Sequence, residues 1–475
     1  MLCFLCQDKF HAFQSIFLHT LNRTIFPFGG PMNSKSLQSH PLLTGTLLLT
    51  IAGLISRIIG FFYRIFLSQT IGAEGVGIYQ LIFPLYALTF SLTVSGIQTA
   101  ISRFTAQAVA ASCSNGVPSQ NTGLCNDRCY LTTGLILSLF LSFLCTIFLY
   151  HFATPLAVFF LDEPRCQVLL EILSLTVPFG AIHACINGYY YGLKKTFVPA
   201  TSQLVEQVIR VVCVFVLYQI CLERHYPVTV NIAVWGLVAG EFGAVLYSIS
   251  FLGRGKCYGS KLLGLKQIFL MSTPLSANRV LVNLLQSIEA TMIPGQLRNY
   301  GYSVSESLSV YGVLTGMALP MVLFPSVITN SVSVMLLPAI AEAQEKEDQH
   351  YIRNAIRKTC FYCLFLGFLC TISFLLLGNW MGKVLFANEL AGTFIVILGW
   401  MCPFLYLSTT LSSILNGLGK TTTTFTLNMV GLSLRIVSVV WGIPSFGIKA
   451  YLWGTLISQI VMALASIAVL SRKNK

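Results

Sequence analysis

Five arginines of this 475-residue chain lie inside long apolar stretches, where a charged side chain is unexpected. A charge at the centre of a membrane costs at least about 2.5–3.5 kcal/mol on insertion scales, so such a residue needs a hydrated cavity or a partner. The guanidinium group is also suited to bidentate contacts with phosphate. Ion pairs or an anion-binding site within a membrane are therefore predicted for Arg57, Arg64, Arg210, Arg279 and Arg435.

Two polar stripes are predicted on the helices that carry three of these arginines. Arg57 and Arg64 are seven residues apart and share one helix face, and Arg279, Asn283 and Gln286 follow an i, i+4, i+7 spacing. We predict that all five residues bind substrate and that both stripes face one central cavity. Alternatively, the long side chain of Arg64 reaches the membrane interface.

The few acidic residues in the same apolar stretches predict either coupling or gating sites or structural ion pairs. Glu206 and Arg210 stand in the favourable i, i+4 order. Glu241 has no local partner, and Arg210 is a candidate for one. Glu289 is the only acid of its predicted helix, where it would bind a coupling cation, neutralise an arginine or form a structural salt bridge. We predict coupling or gating roles for these four residues.

The helices that position these side chains are predicted to span a membrane. The chain is 55% hydrophobic and 9% charged, whereas soluble domains carry about 25% charged residues. A spanning helix needs about 20 mostly apolar residues, and the apolar runs are continuous, unlike the alternating strands of a barrel. We predict an all-α integral membrane protein with about twelve spans, numbered in chain order at residues 42–67, 76–99, 130–150, 168–192, 197–220, 231–252, 267–293, 308–338, 358–379, 391–416, 422–443 and 447–470.

Basic residues concentrate in alternate loops between these spans, for example at Arg254, Lys256, Lys261 and Lys266. The positive-inside rule places such loops in the cytoplasm. We therefore predict a multi-pass protein of the cell membrane with both termini in the cytoplasm. Because the net charge of +13 arises largely from these loops, it does not indicate a nucleic-acid partner.

The two halves of the chain resemble each other. The segment 192–196 (GLKKT) reads like 417–421 (GLGKT), and an arginine follows each lysine by fifteen residues, at Arg210 and Arg435. Two six-helix lobes related by a pseudo-two-fold axis along the membrane normal are predicted. The predicted divisions are an extension at 1–41, an N-lobe at 42–252, a basic cytoplasmic linker at 253–266, a C-lobe at 267–470 and a basic tail at 471–475.

Signatures of enzyme chemistry are weak in this sequence. Among the 15 cysteines, the spaced pairs at Cys3 and Cys6 and at Cys360 and Cys363 have no second pair of ligands, so no metal site is predicted. The 417–421 segment joins two membrane helices and is not read as a phosphate loop. We predict no catalytic residue and no cofactor, and therefore a transporter and not an enzyme.

Several motifs of the chain resemble one transporter family. They are 56–61 (SRIIGF), 71–79 (IGAEGVGIY), 206–210 (EQVIR) and the seventh span with Pro274, Arg279, Asn283 and Glu289. These motifs are similar to those of the stage V sporulation protein B family, and the resemblance extends from about residue 40 to the end of the chain. That family belongs to the polysaccharide branch of the multidrug/oligosaccharidyl-lipid/polysaccharide (MOP) exporters and is related to the MurJ-type lipid II flippases.

The resemblance implies a flippase that moves a lipid-linked oligosaccharide of the peptidoglycan-precursor type by alternating access for spore cortex synthesis. Its implied partners are an undecaprenyl-pyrophosphate-linked sugar, membrane lipids and a coupling ion. Two departures from the MurJ-type pattern count against a housekeeping role in lipid II transport. The second span lacks the arginine pair of many MurJ-type proteins, and the chain has about twelve predicted spans where those proteins have fourteen. The alternatives are a cation-coupled multidrug exporter of the related branch and a membrane glycosyltransferase or polymerase.

The first 31 residues look unlike the rest of the chain, and the family resemblance begins only after them. Met32 opens a short polar leader before the first span. We predict that translation begins at Met32 and that residues 1–31 are loosely packed against the helices.

Overall fold

The computed structural model describes residues 41–115, 127–253 and 261–472, which are almost entirely helical and include no strand. The predicted packing of residues 1–31 lies outside these described residues. From Leu49 onward the described helices form one compact unit. The spans are built from the helices Pro41–Leu81, Phe83–Phe90, Ser91–Ser95, Gly96–Asn115, Asp127–His151, Cys166–Ser174, Thr176–Gly192, Phe197–Glu223, Asn231–Ser250, Lys261–Tyr300, Val304–Gly312, Val313–Ala318, Leu319–Leu323, Ser326–Glu345, Gln349–Phe386, Glu389–Gly399, Cys402–Gly417, Thr421–Val437, Ser438–Gly442, Ile443–Phe446 and Ile448–Arg472.

The boundary between spans 1 and 2 is a backbone break at Gly72. The apolar helical stretch Leu48–Val109 has 62 residues. As one straight helix it would be about 93 Å long, about three times the hydrocarbon thickness. Gly72 interrupts it with a φ of 71° and a ψ of 177°, a conformation that a residue without Cβ adopts readily. The stretch therefore holds two spans.

The described residues confirm the twelve-helix, two-lobe architecture. Nine helical stretches within them are long and apolar enough to cross a membrane, and two bent helix pairs, which form spans 4 and 10, raise the number to eleven. The break at Gly72 divides the first stretch and gives twelve. Several helices continue beyond the predicted ends, as in span 8, whose helices run over 304–345, because polar helix ends continue past the apolar segment from which a span is predicted.

Two glycines bring spans 2 and 8 into close backbone contact. A Cβ at Gly77 would overlap the carbonyl of Leu308, and a Cβ at Gly312 would overlap the carbonyl of Ala73. Small residues commonly permit such close approach between membrane helices. The contact joins the two lobes at the end where span 2 begins.

The Gly77→Ala variant is expected to lose stability, because the added methyl group forces this helix pair apart. Overpacking typically costs about 1–3 kcal/mol. Gly53→Ala is the matched control, since nothing lies within 4 Å of a Cβ at Gly53 and alanine favours a helix by about 1 kcal/mol over glycine. Thermal unfolding of both purified variants should show a lower midpoint for Gly77→Ala alone; equal midpoints would contradict this contact.

Charged contacts surround the same end of the molecule. Within the first lobe, Arg165 forms ion pairs of 2.7 Å with both Glu74 and Glu163. The hydrogen bonds that Arg165 donates to Glu163 and to Glu74 raise the pKa of Arg165 above its usual range. Between the lobes, Arg298 of span 7 pairs with Asp162 in the loop after span 3. These contacts fasten the end of the bundle that the charge pattern predicts to be extracytoplasmic.

Candidate functional site

The polar face of span 7 packs against span 2. The Asn283 amide donates to the Ala87 carbonyl at 3.1 Å, and Arg279 Nη1 donates to the Ser95 carbonyl at 3.4 Å. Ser95 ends the π-helical turn Ser91–Ser95, a type of irregularity that is frequent at functional sites. The predicted stripe therefore lies on one face of the helix, and two of its polar side chains, Arg279 and Asn283, form hydrogen bonds between the lobes.

Span 1 lies between span 5 of the first lobe and span 8 of the second. A Cβ at Gly60 would lie 3.1 Å from Gln207 Nε2 on span 5, and the Phe61 ring lies 5.7 Å from that of Phe324 on span 8. Arg57 is one turn from Gly60 and is exposed. Among the other predicted substrate-binding residues, Arg279 and Gln286 are exposed, and Arg64 and Asn283 are half-buried.

The arginine of the second half, Arg435, is neutralised by Glu289. Arg435 Nη2 lies 3.2 Å from Glu289 Oε2, and the Glu289 side chain is 6% exposed. The Tyr451 hydroxyl donates to the other carboxylate oxygen at 2.9 Å. Among the alternatives for Glu289, the structure thus supports neutralisation of an arginine, and the donors come from spans 11 and 12.

The repeat-related arginine of the first half, Arg210, is neutralised from its own helix. Its guanidinium pairs with Glu206 one turn away, and Nη1 also donates to Gln207 Oε1 at 3.3 Å. Arg64 of span 1 lies within electrostatic range of Arg210. The two repeat-related arginines therefore share a function as ion-pair partners, although their carboxylates come from different places in the sequence.

Glu241 pairs with His183 and not with Arg210, the candidate partner that the sequence offered. Glu241 Oε2 lies 3.1 Å from His183 Nδ1 of span 4, and the Tyr86 hydroxyl donates to Oε1 at 3.3 Å. The other ring nitrogen of His183 lies 3.0 Å from Ser202 Oγ of span 5. Arg210 reaches Glu206 first, because that carboxylate is on the adjacent turn of the same helix.

His183 was missed by the sequence reasoning. A lone histidine in an apolar run gives little signal, and the pairing with Glu241 crosses 58 residues of chain. The potential ligand atoms of His183, Glu206 and Glu241 all lie within 4.8 Å of one another. Together they form the one group of three such side chains in the described residues that is compact enough to hold a cation, which the prediction of no metal site did not anticipate.

A polar cavity of about 300 Å³ adjoins this group inside the first lobe. It is lined by residues of spans 2, 4, 5 and 6. Its lining includes Gln98, Asn187 and Gln203 as well as His183, Glu206 and Glu241. The cavity is large enough for several water molecules, since one occupies about 30 Å³ in the liquid.

The structure divides the five intramembrane arginines into two sets. Arg210 and Arg435 have carboxylate partners. No ion pair is formed within the described ranges by Arg57, Arg64 or Arg279. These three are the arginines that the sequence predicted to bind substrate, and they carry positive charge that the described carboxylates leave uncompensated.

The sequence matches a known family over most of its length. The profile of a family described as polysaccharide biosynthesis protein matches residues 42–344. The chain is also 26% identical over 448 residues to stage V sporulation protein B of Bacillus subtilis (strain 168), which covers 92% of this chain and 85% of that protein.

Two solved transporter structures share the fold. A multidrug resistance MATE family transporter of the MOP superfamily, in an inward-facing conformation, aligns with a TM-score of 0.71 and 13% identity over 88% of this chain and 94% of that one. The lipid II flippase MurJ, in an inward closed conformation, aligns with a TM-score of 0.67 and 15% identity over 90% of this chain and 87% of that one. At these identities the likeness shows the fold alone.

Proposed function

The chain belongs to the polysaccharide biosynthesis protein family, and on that premise we propose that it is a MOP-superfamily flippase that moves an undecaprenyl-pyrophosphate-linked oligosaccharide of the peptidoglycan-precursor type across the cytoplasmic membrane. The similarity to stage V sporulation protein B supports a role in sporulation, which we propose to be spore cortex synthesis. Transport proceeds by alternating access between the two lobes.

The observation that carries this proposal is the set of arginines without ion pairs in the described residues, Arg57, Arg64 and Arg279. A pyrophosphate brings negative charge into the membrane region, where an arginine without a partner is costly. Bidentate guanidinium contacts would hold its oxygens in a defined orientation. Asn283 and Gln286 lie one and two turns from Arg279 and extend the same polar surface toward the sugar.

The second candidate, a cation-coupled multidrug exporter, is favoured only by the likeness of fold to the MATE transporter. Uncompensated arginines would repel a cationic drug. The two candidates therefore differ in the sign of charge that the substrate should carry.

Ligand stabilisation of the purified protein tests this difference. A ligand that binds the folded state at 100 times its Kd stabilises by about 2.7 kcal/mol. We expect undecaprenyl pyrophosphate to raise the unfolding temperature more than undecaprenyl monophosphate, and undecaprenol to have little effect. Stabilisation by a cationic dye with none by the pyrophosphate would favour the multidrug exporter.

The sporulation role has a separate test. We expect the chain to restore heat-resistant spores to Bacillus subtilis that lacks stage V sporulation protein B. Restored lipid II flipping in a strain without MurJ, combined with failure to restore spores, would assign the housekeeping role instead.

The proposed orientation places both termini in the cytoplasm, because loops rich in Lys and Arg alternate with loops that contain few basic residues. Single cysteines in a background without native cysteines should be labelled from outside in loops 151–166 and 294–307. Loop 253–266 should react only after permeabilisation. The opposite pattern would invert the topology.

A further inference from the structure

The group formed by His183, Glu241 and Glu206 has a hydrogen-bond arrangement that suits reversible protonation. The two ring nitrogens of His183 face a carboxylate at 3.1 Å and the Ser202 hydroxyl at 3.0 Å. The Ser202 Oγ also lies 3.1 Å from the Pro199 carbonyl and 3.4 Å from Asn187 Oδ1. The hydroxyl therefore has an acceptor in more than one direction.

Both protonation states of His183 are satisfied by rotation of this hydroxyl. When the ring is neutral, Nδ1–H donates to Glu241 and the Ser202 hydroxyl donates to Nε2. When the ring is protonated, Nε2–H donates to Ser202 Oγ, and the hydroxyl turns to the Pro199 carbonyl. Neither ring nitrogen of His183 nor the Ser202 hydroxyl is left unpaired in either state, so the large cost of an unsatisfied polar group is avoided for these atoms.

The charges of the group favour the uptake of one positive charge, as a proton would supply. Glu206, Glu241 and Arg210 together carry a net charge of −1 when His183 is neutral, and a proton on His183 brings the sum to zero. A divalent cation would leave +1 in a buried site, which is unfavourable. Two neutral groups, Tyr86 and Ser202, complete the hydrogen bonds to the pair.

The further titratable groups of this region lie near Arg210 and not next to the His183 imidazole. Arg64 and Tyr63 of span 1 and Tyr79 of span 2 interact with Arg210. Glu206 is paired with Arg210 and also lies within electrostatic range of His183 and Glu241, so a change of charge on His183 acts on both carboxylates. Each of the spans 1, 2, 5 and 6 thus contributes a charged or titratable group to the surroundings of His183.

The polar cavity offers a route for the proton from one side of the membrane. Its lining extends from His183 to Tyr191 and Pro199, which flank the loop 193–196. The eight residues from His183 to Tyr191 correspond to about 12 Å along a helix. That loop contains Lys194 and Lys195 and lies on the side that the charge pattern predicts to be cytoplasmic.

We propose that the His183–Glu241 pair binds and releases one proton through the polar cavity of the first lobe, and that this proton is the coupling ion of the transporter. Binding changes the pattern of hydrogen bonds between spans 4, 5 and 6. The coupling role rests on the proposed flippase function, whereas the existence of the proton site does not.

Proton binding is measured directly on the full-length protein in lipid nanodiscs. Each sample is titrated between about pH 5 and 8, where histidine ordinarily changes charge, and the bound protons are counted with a calibrated indicator. We expect wild type to bind one more proton per chain than His183→Gln. Equal counts would overturn the site, whether His183 stays neutral or stays charged throughout.

Three further variants control this count. Glu241→Gln should also lose one proton, because the net charge without His183 protonated becomes zero, and it tests the site if His183→Gln fails to fold. His225→Gln removes an exposed loop histidine outside the group and is the comparison variant for the loss of a histidine elsewhere in the chain. Glu289→Gln should leave the count unchanged, because both partners of Glu289 are hydrogen-bond donors.

Two further experiments are needed. The first distinguishes a proton from a metal cation as the ligand, and the second distinguishes the proton site from the transport function. The number of protons bound should be the same in sodium and in choline salts. If sodium lowers the number bound by wild type but not by His183→Gln, the ligand of the site is sodium and not a proton. In proteoliposomes, a pH gradient should change the flipping rate of wild type but not that of His183→Gln. If wild type binds the proton but does not flip lipid-linked sugar, the proposed function fails and the proton site stands.

Discussion

Replacement of Arg57 or Arg279 by alanine is expected to reduce flipping of lipid-linked sugar at least tenfold without loss of folded protein. Each arginine would donate charge-assisted hydrogen bonds to the pyrophosphate, and a hydrogen bond to a charged group is worth about 1.5–3 kcal/mol. A loss of 1.4 kcal/mol corresponds to about a factor of ten. The measurement is the initial rate of flipping in proteoliposomes with equal amounts of reconstituted protein.

Two controls distinguish substrate binding from general damage. Arg353→Ala removes an exposed arginine near the start of span 9 and should keep the wild-type rate. Arg57→Lys should retain part of the rate, since lysine keeps the charge but not the planar, bidentate donor. A wild-type rate in Arg57→Ala or Arg279→Ala would remove that residue from the substrate site.

A covalent link between Asp162 and Arg298 is expected to stop transport. This ion pair joins the loop after span 3 to the end of span 7, so it connects the two lobes at the proposed extracytoplasmic end. Alternating access requires this end to open. In the Asp162→Cys/Arg298→Cys double variant, made without native cysteines, a short reducible bis-thiol crosslinker should abolish flipping, and reduction should restore it.

The neighbouring pair Glu74 and Arg165 provides the matched control. Both residues belong to the first lobe and form an ion pair of 2.7 Å. The same crosslinker applied to Glu74→Cys/Arg165→Cys should leave the flipping rate of that variant unchanged. Inhibition of both double variants, or of neither, would contradict opening between the lobes at this end.

The class of fold could be predicted from the sequence because lipid imposes a simple rule on it. Long apolar runs with few charges must be spanning helices. The contact between Gly77 and Leu308 could not be predicted in the same way, because it depends on the depth and rotation of two helices separated by more than 200 residues. A glycine in an apolar run does not reveal which helix approaches it.

The ion pairs show the same division between local and distant information. The spacing of Glu206 and Arg210 predicted their contact because both lie on adjacent turns of one helix. Glu241 has no such neighbour, and its partner His183 comes from another span. Glu289 and Arg435 are also far apart in sequence. Sequence therefore indicated that buried charges need partners, while the packing of the spans decided which partners they have.

The residue types of the candidate substrate site could be predicted from the sequence, but their packing could not. Asn283 and Arg279 face span 2, and Arg57, Arg279 and Gln286 are exposed. The proposal that they converge on one bound pyrophosphate rests on their charge and chemistry.

The most direct test of the central claim is transbilayer movement of fluorescent lipid II and of lipid-linked sugars with shorter head groups in proteoliposomes of the purified chain. We expect time-dependent movement of a pyrophosphate-linked substrate in vesicles with wild type, at a rate well above that in protein-free vesicles and in vesicles with Arg57→Ala/Arg279→Ala. Movement no faster than in protein-free vesicles for every pyrophosphate-linked substrate, by protein shown to be folded, would contradict the account.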